Sequence, residues 1–257
     1  MSHHFLDVAD LCFEYPDGTV ALKGVSFRLE HGEAVGLVGA NGAGKSTMLL
    51  ALAGLVLPTG GAVNVGGTIL SKGTLGEIRR RMGFVFQDPE DQLFMPTVFD
   101  DVAFGPLNQG LSVGEVPARV SEALESVGAG HLSDRPTYRL SGGEKRAVAI
   151  ATTLSMLPDI LVMDEPSTGL DPRGRRLLIG LLKKFSHTRL VATHDLDLVL
   201  EVCPRTIVLH DGKIAADGPT LEMFRDRSLL ERCHLEPPLC MQGDCLERCP
   251  SNPLQGK

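Results

Sequence analysis

No stretch of this sequence is apolar over the roughly 18 residues that a membrane-spanning helix needs. The longest candidate, residues 147–163, is interrupted by Thr152-Thr153, Pro158 and Asp159. The first residues also lack the basic and then apolar pattern of a secretory signal. We therefore expect a cytosolic protein that reaches a membrane only through a partner.

An excess of basic residues is also lacking, since the formal net charge is −7. This balance does not favour a nucleic-acid partner. No internal repeat and no low-complexity segment is visible. A hydrophobic content of 43% and a charged content of 22% are ordinary for a soluble globular protein, and 257 residues suffice for one large domain or two small ones.

A glycine-rich turn between an apolar run (residues 34–38) and a helical pattern (residues 47–55) is the most informative stretch. Its G-x-x-x-x-G-K-[ST] pattern consists of Gly39, Gly44, Lys45 and Ser46. Backbone N–H groups of such a turn, together with the following helix N-terminus, bind phosphate. The Lys45 ammonium then contacts the β- and γ-phosphates, and the Ser46 hydroxyl holds Mg²⁺.

Apolar runs and helical patterns alternate along the chain, which predicts an α/β fold with a mostly parallel sheet. Predicted strands cover residues 5–14, 25–30, 34–38, 83–86, 159–164 and 190–193, with a closing pair at 205–209 and 213–216. Predicted helices cover residues 74–81, 112–127 and 172–185. The apolar face of the helix at 112–127 consists of Val113, Val116, Val120, Leu124 and Val127.

Polar residues follow three of these predicted strands. Gln87 follows one, Asp164-Glu165 follow a second, and His194 follows a third. Ligand-binding groups of parallel sheets gather at the carboxyl ends of strands. In a phosphoryl-transfer site Asp164 can orient Mg²⁺ and Glu165 can polarise the attacking water.

A second candidate anion site begins at Ser141. Ser141 is a natural helix N-cap, and Glu144 completes a capping box three residues later. A Ser-Gly-Gly helix start also presents free N–H groups to an anion. One chain thus carries two sites suited to phosphate.

Together these motifs resemble the nucleotide-binding subunit of an ATP-binding cassette (ABC) transporter. The resemblance covers about residues 5–225. It implies a P-loop NTPase (RecA-like) core with a mostly parallel sheet, an antiparallel β subdomain and an inserted α-helical subdomain at about residues 88–155. The ATPase domain would span residues 1–230 and a Cys-rich tail residues 231–257.

The resemblance also implies ATP and Mg²⁺ as cofactors and assigns residues to them. Glu165, His194 and Gln87 would be catalytic, and Mg²⁺ would be held by Ser46, Gln87 and Asp164. Nucleotide contacts would come from Tyr15, Gly39, Asn41, Gly42, Ala43, Gly44, Lys45, Ser46, Thr47, Ser141, Gly142, Gly143 and Asp171. Tyr15 would stack on adenine. Ser141 and Gly143 would act in trans, in a head-to-tail dimer with a second copy or a related ATPase subunit.

A narrower likeness lies in residues 86–94, 97–111 and 191–199, which are similar to the ATPases of energy-coupling-factor importers. Within that group the likeness is greatest to the cobalt and nickel importers. This implies integral membrane subunits that dock near residues 87–105 and a peripheral position on the cytoplasmic face of the membrane. An acidic rim beside apolar side chains suits a basic, amphipathic partner helix. Two alternatives stay open: an importer for another substrate such as a vitamin, and a non-transport ABC ATPase, although the chain lacks that class's heptad runs and tandem cassettes.

The sequence departs from the ABC pattern directly after residues 140–144, which match the family's Leu-Ser-Gly-Gly-Glu signature. Ala147 stands where the family often has a second basic residue, and Thr152-Thr153 replace the usual small residues. The tail cysteines lack the C-x-x-C spacing of zinc sites. Incidental cysteines, a zinc or iron–sulfur site on Cys240, Cys245 and Cys249, and disulfides are all open.

Overall fold

The computed structural model describes residues 4–242, in which two sheets are flanked by helices. The strands are β1 (His4–Glu14), β2 (Val20–Glu30), β3 (Ala34–Val38), β4 (Gly60–Val65), β5 (Thr68–Ile69), β6 (Met82–Val85), β7 (Ile160–Asp164), β8 (Thr188–Ala192), β9 (Arg205–His210) and β10 (Lys213–Pro219). The α-helices are α1 (Lys45–Leu52), α2 (Leu75–Arg81), α3 (Val98–Asn108), α4 (Val116–Ser126), α5 (Gly142–Leu154), α6 (Pro172–Lys184), α7 (Leu196–Val202), α8 (Thr220–Arg225) and α9 (Arg227–Arg232).

The larger sheet has six strands in the order β10-β9-β3-β8-β7-β6, and neighbours from β9 to β6 run parallel. Only β10 is antiparallel to its neighbour. Every residue of β3 and β7 is buried, as expected of parallel strands covered on both faces. On β7, Ile160 and Val162 pack in one apolar cluster, whereas Leu161 and Met163 pack in the other. The predicted mostly parallel α/β sheet is therefore confirmed.

A four-stranded antiparallel sheet in the order β2-β1-β4-β5 lies over one face of the larger sheet. Side chains of β1, β2 and α1 fill the core between the two sheets. Strand β2 starts at Val20 rather than at the predicted residue 25. Gly24, at φ +81°, is the extra residue of a bulge opposite β1, so the alternation of buried residues breaks there and hid the first half of the strand.

Helices α3, α4 and α5 pack on one another and on the second face of the larger sheet. The predicted helix over residues 112–127 is shorter than expected, since α4 begins at Val116. The preceding residues form a turn in which the Ser112 backbone N–H and hydroxyl both donate to Glu115 Oε2, at 3.0 and 2.6 Å. Val113 is consequently 82% exposed and is not part of the buried face.

Residues 231–242 of the proposed tail pack on the core. Cys233 and Met241 are buried, and the backbone N–H groups of Leu239 and Cys240 donate to the Asp197 carboxylate at 2.9 and 3.2 Å. Cys245 and Cys249 lie outside the described residues. Between residues 4 and 242, no helix is both long enough and apolar enough to cross a bilayer.

Candidate functional site

The glycine-rich loop runs from the end of β3 to the start of α1. Gly44, at φ +104°, precedes the first helical residue, a conformation that an L side chain rarely adopts. A Cβ atom on Gly39 would collide with the Leu209 carbonyl oxygen. The Lys45 ammonium, nearly buried, donates to the carbonyl oxygens of Gly39 at 2.7 Å and Ala40 at 3.2 Å. Burial lowers the pKa of Lys45, while the Glu165 and Asp164 charges raise it.

Asp164 is the last residue of β7 and lies near Lys45 and Ser46. Burial raises the pKa of its carboxyl, a hydrogen bond with Ser46 lowers it, and the Glu165 charge raises it further. Its Oδ1 atom is buried and has no hydrogen-bond partner within residues 4–242. An unpaired buried acceptor beside a hydroxyl and a lysine fits Mg²⁺ bound with phosphate, because hard oxygen donors are the ligands of this ion.

Glu165 follows in a left-handed conformation, at φ +47°. Its Oε2 atom accepts from the Thr193 hydroxyl at 2.9 Å and lies 2.8 Å from His194 Nδ1. Its Oε1 atom accepts from the His194 backbone N–H at 3.1 Å. Glu165 thus combines an unusual backbone conformation with a buried carboxylate. Thr193 and His194, which follow the neighbouring strand β8, hold that carboxylate in place.

One pocket of about 610 Å³ collects most of the predicted nucleotide-site residues. Predicted residues that line it are Tyr15, Asn41, Gly42, Gly44, Lys45, Ser46, Thr47, Gln87, Glu165 and His194. The Tyr15 hydroxyl is 2.8 Å from Thr47 Oγ1, and its ring packs edge-on against Phe13 with the ring centroids 4.9 Å apart. The aromatic ring therefore stands at the edge of the pocket. Gly39 and Ala43 belong to the same loop but do not line the pocket.

Other predicted residues lie elsewhere. Ser141, Gly143 and Asp171 line a separate cavity of about 480 Å³, between α5 and the start of α6. Ser141 caps α5 in the predicted capping box with Glu144, and Asp171 caps α6 by accepting the Gly174 N–H at 2.6 Å. Gly142 follows Ser141 on the exposed start of α5. Within one chain the two predicted phosphate sites do not meet.

Several residues at the site carried no sequence signal of their own. Thr193 orients Glu165, and Thr168, Asp211 and Gly212 line the pocket. Arg146 lies two residues beyond the Ser-Gly-Gly-Glu stretch and donates to the Phe86 carbonyl at 2.7 Å and to the Gln87 carbonyl. The sequence could mark Arg146 only as a basic residue next to a recognised motif. Its partners could not be predicted, because they lie 60 and 59 residues away in the sequence.

No group of three or more His, Cys, Asp or Glu side chains within the described residues is arranged to hold a metal ion. Of the three tail cysteines predicted to bind zinc or an iron–sulfur cluster, Cys240 is described. The other two lie outside residues 4–242, so the tail site stays a prediction.

A family model described as ABC transporter matches residues 22–168. The chain is 63% identical over 243 residues to a putative ABC transporter ATP-binding protein of Geobacter sulfurreducens, a match that covers 95% of this chain and 98% of the relative. It is 46% identical over 238 residues to the energy-coupling factor transporter ATP-binding protein EcfA of Methanothermobacter thermautotrophicus, covering 91% of this chain and 76% of that protein.

Two solved structures are similar in fold. CbiO1 from Clostridium perfringens, described as part of the ABC transporter complex CbiONQ, has a TM-score of 0.78 at 37% identity, covering 90% of this chain and 94% of that chain. A dimeric ATP-binding cassette in a post-hydrolysis state, bound to ADP and Pi, has a TM-score of 0.77 at 30% identity, covering 84% and 98%.

Proposed function

Because the chain belongs to the ABC transporter family, as an ATPase subunit that couples ATP hydrolysis to transport, we propose that it energises a membrane importer of the energy-coupling-factor type for cobalt or nickel ions. The proposed ATPase domain is residues 1–230, with the helical subdomain at about 88–155. The observation that carries the ATPase role is the pocket in which the phosphate loop, Gln87, Glu165 and His194 meet.

The arrangement supports a different role in ATP hydrolysis for each of these residues. Lys45 and the loop N–H groups bind the phosphates. Glu165 accepts a proton from the attacking water, and His194 and Thr193 hold its carboxylate in place. Ser46, Gln87 and Asp164 would hold Mg²⁺, which neutralises phosphate charge when bound.

The start of α5 supports a nucleotide contact in trans. Ser141 is exposed, and a Cβ atom added to Gly142 or Gly143 would meet no atom within 4 Å in the described chain. Glycine lowers helix stability by about 1 kcal/mol relative to alanine. Packing within the described chain does not require glycine at either position. Close approach of a second chain's triphosphate would account for the glycines, which supports a head-to-tail dimer formed with a second copy or with a related subunit.

A surface beside Gln87 suits membrane subunits. Phe94 and Phe104 are 64% and 42% exposed, and their rings pack edge-on with the centroids 4.9 Å apart. The buried Asp101 carboxylate accepts the N–H groups of Phe94 and of Met95, both at 3.1 Å, and so fixes this loop. The exposed carboxylates of Asp88, Glu90 and Asp91 form a rim. We call this the docking patch; a basic, amphipathic helix of a membrane subunit would place the protein peripherally on the cytoplasmic face.

The finer assignment rests on likeness. The EcfA relative supports the energy-coupling-factor type, and residues 86–94, 97–111 and 191–199 support cobalt or nickel by their similarity to the ATPases of those importers. Co-purification of untagged membrane subunits, followed by uptake assays with Co²⁺ and Ni²⁺, tests this. Uptake of a vitamin instead of either ion by the purified complex would contradict the metal substrate and leave the importer type standing.

The Glu165→Gln variant tests the ATPase site. We expect it to bind ATP with unchanged affinity, to hydrolyse it at least about 100-fold more slowly, the lower range for loss of a general base, and to accumulate as an ATP-bound dimer. Turnover and size-exclusion chromatography with and without ATP measure both effects. Wild-type turnover in this variant would remove Glu165 from the reaction.

The tail site is a separate hypothesis. Anaerobic metal analysis of the full chain against a chain ending at Gln242 tests it, because residues up to 242 pack on the core and stay in both samples. An absence of bound metal from the full chain would remove the hypothesis.

A further inference from the structure

The segment that follows β6, residues 86–92, contains the acidic rim of the docking patch and is bound along its length to α5. We call this segment the Gln87 loop. At its start the Arg146 guanidinium donates to the Phe86 and Gln87 carbonyls. In the middle Lys145 forms an ion pair with Glu90. At its end Gln92 donates to α5. These contacts span α5 from its second turn almost to its C-terminus.

Arg146 is an unusual buried cation, since it is only 4% exposed and donates to carbonyl oxygens. Besides the Gln87 loop it reaches the Thr168 carbonyl at 3.4 Å, in the segment that follows Glu165. Its Nε atom has no hydrogen-bond partner within residues 4–242. A buried guanidinium with an unused donor is costly, yet its planar fork can hold two successive carbonyls at once.

Gln92 closes the other end of the loop. Its Oε1 atom accepts the Phe86 N–H at 3.2 Å, so the loop is tied to its own start. Its Nε2 atom donates to the Ala149 carbonyl at 2.7 Å and to the hydroxyls of Thr152 and Thr153, at 2.7 and 3.0 Å. The two threonines that depart from the family pattern therefore have a structural reason: they receive this amide.

We propose that Arg146 and Gln92 are positioning residues that latch the Gln87 loop onto α5, so that Gln87 and Ser141 are held in one fixed relation. Arg146 fixes the backbone of Gln87 relative to Thr168 and thus to Glu165. Ser141 lies at the start of the same helix. The Gln92 latch lies next to the docking patch, so displacement of that patch reaches the chain's own Gln87 and, through Ser141, the partner copy's triphosphate.

The proposal rests on the proposed function for the roles of Gln87 and Ser141, and its first test is Arg146→Lys in the full chain. A lysine ammonium cannot replace a fork that holds two carbonyls. We expect kcat for ATP to fall about tenfold with KM changed less than twofold, because the phosphate loop is untouched.

Arg189→Lys is the matched control. Arg189 is half-buried and donates to the carbonyls of Phe185 at 2.6 Å and Val202 at 3.3 Å, and its Nε atom is also unpaired within residues 4–242. It lies on β8, away from the Gln87 loop. Equal kcat values for the two variants, or a rise in KM in step with the fall in kcat, would overturn the role of Arg146.

Gln92→Met tests the latch even if Arg146→Lys fails to fold. We expect amide hydrogen exchange to rise about tenfold in the peptide that contains Phe86, and to stay unchanged in α1. Gln109→Met is its control, since Gln109 also donates to a carbonyl after α5, that of Met156, at 3.2 Å.

Unchanged exchange at Phe86 in Gln92→Met would overturn the latch. A wild-type protein without ATPase activity would instead contradict the proposed function, and the exchange data would still judge the latch by itself.

Discussion

Asp164 and Glu165 are neighbours in the sequence with different environments. Donors from Thr193 and His194, directly after β8, satisfy the Glu165 carboxylate, whereas Asp164 has a raised pKa and a buried oxygen without a partner within residues 4–242. The carboxylate of Asp164 therefore destabilises the fold, a cost that its proposed role in holding Mg²⁺ explains.

This contrast predicts that Asp164→Asn stabilises the protein while it abolishes ATPase activity. We expect the melting temperature at pH 7 to rise by about 2–4 °C, which is what about 1 kcal/mol gives in a domain of this size. Burial raises the pKa of Asp164, so the cost of the buried carboxylate is absent where the group is protonated in both the folded and the unfolded state. This cost grows as the pH rises from the unfolded-state pKa through the folded-state pKa.

The difference between the two melting temperatures should thus be largest at neutral pH and close towards pH 4. Calorimetry across this range measures it. A difference that persists unchanged at pH 4 would contradict the burial argument.

At the scale of elements, α5 combines two demands. Its Ser141–Glu144 capping box stabilises the helix start, and the same turn carries Gly142 and Gly143, where an added Cβ atom would meet nothing within 4 Å in the described chain. The sequence predicted the cap correctly because capping depends on residues three apart.

The Gly143→Ala variant tests helix stability and the proposed nucleotide contact separately. We expect a rise in helix stability of up to about 1 kcal/mol together with loss of the ATP-induced dimer, because a methyl group would stand where the proposed dimer places the partner's nucleotide. Thermal melting and analytical ultracentrifugation with the Glu165→Gln background measure the two effects.

Gly180→Ala is the control for this prediction. Gly180 lies inside α6, and a Cβ atom there also meets nothing within 4 Å in the described chain. Its alanine variant should gain stability and keep the dimer. Equal dimer formation in both variants would argue against a nucleotide contact at Gly143.

At the scale of the whole molecule, the docking patch is the proposed contact with a membrane subunit. Replacing Phe94 and Phe104 together by Ala should abolish association with the membrane subunits and leave basal ATPase activity within about twofold, since neither ring lines the nucleotide pocket. Pull-down and ATPase assays measure this. Val113→Ala, at another exposed apolar residue, is the control; retained association in the double variant would move the docking site elsewhere.

The sequence by itself determined the parallel sheet, the phosphate loop, the capped helix and the family, because these depend on residues a few positions apart. It misjudged the starts of β2 and α4, where a bulge and a Ser112 turn interrupt the local pattern. Only the tertiary structure decided which motifs share a pocket and that Arg146 and Gln92 bind across about 60 residues of sequence. Such contacts follow from how α5 packs against β6, and no local spacing encodes that packing.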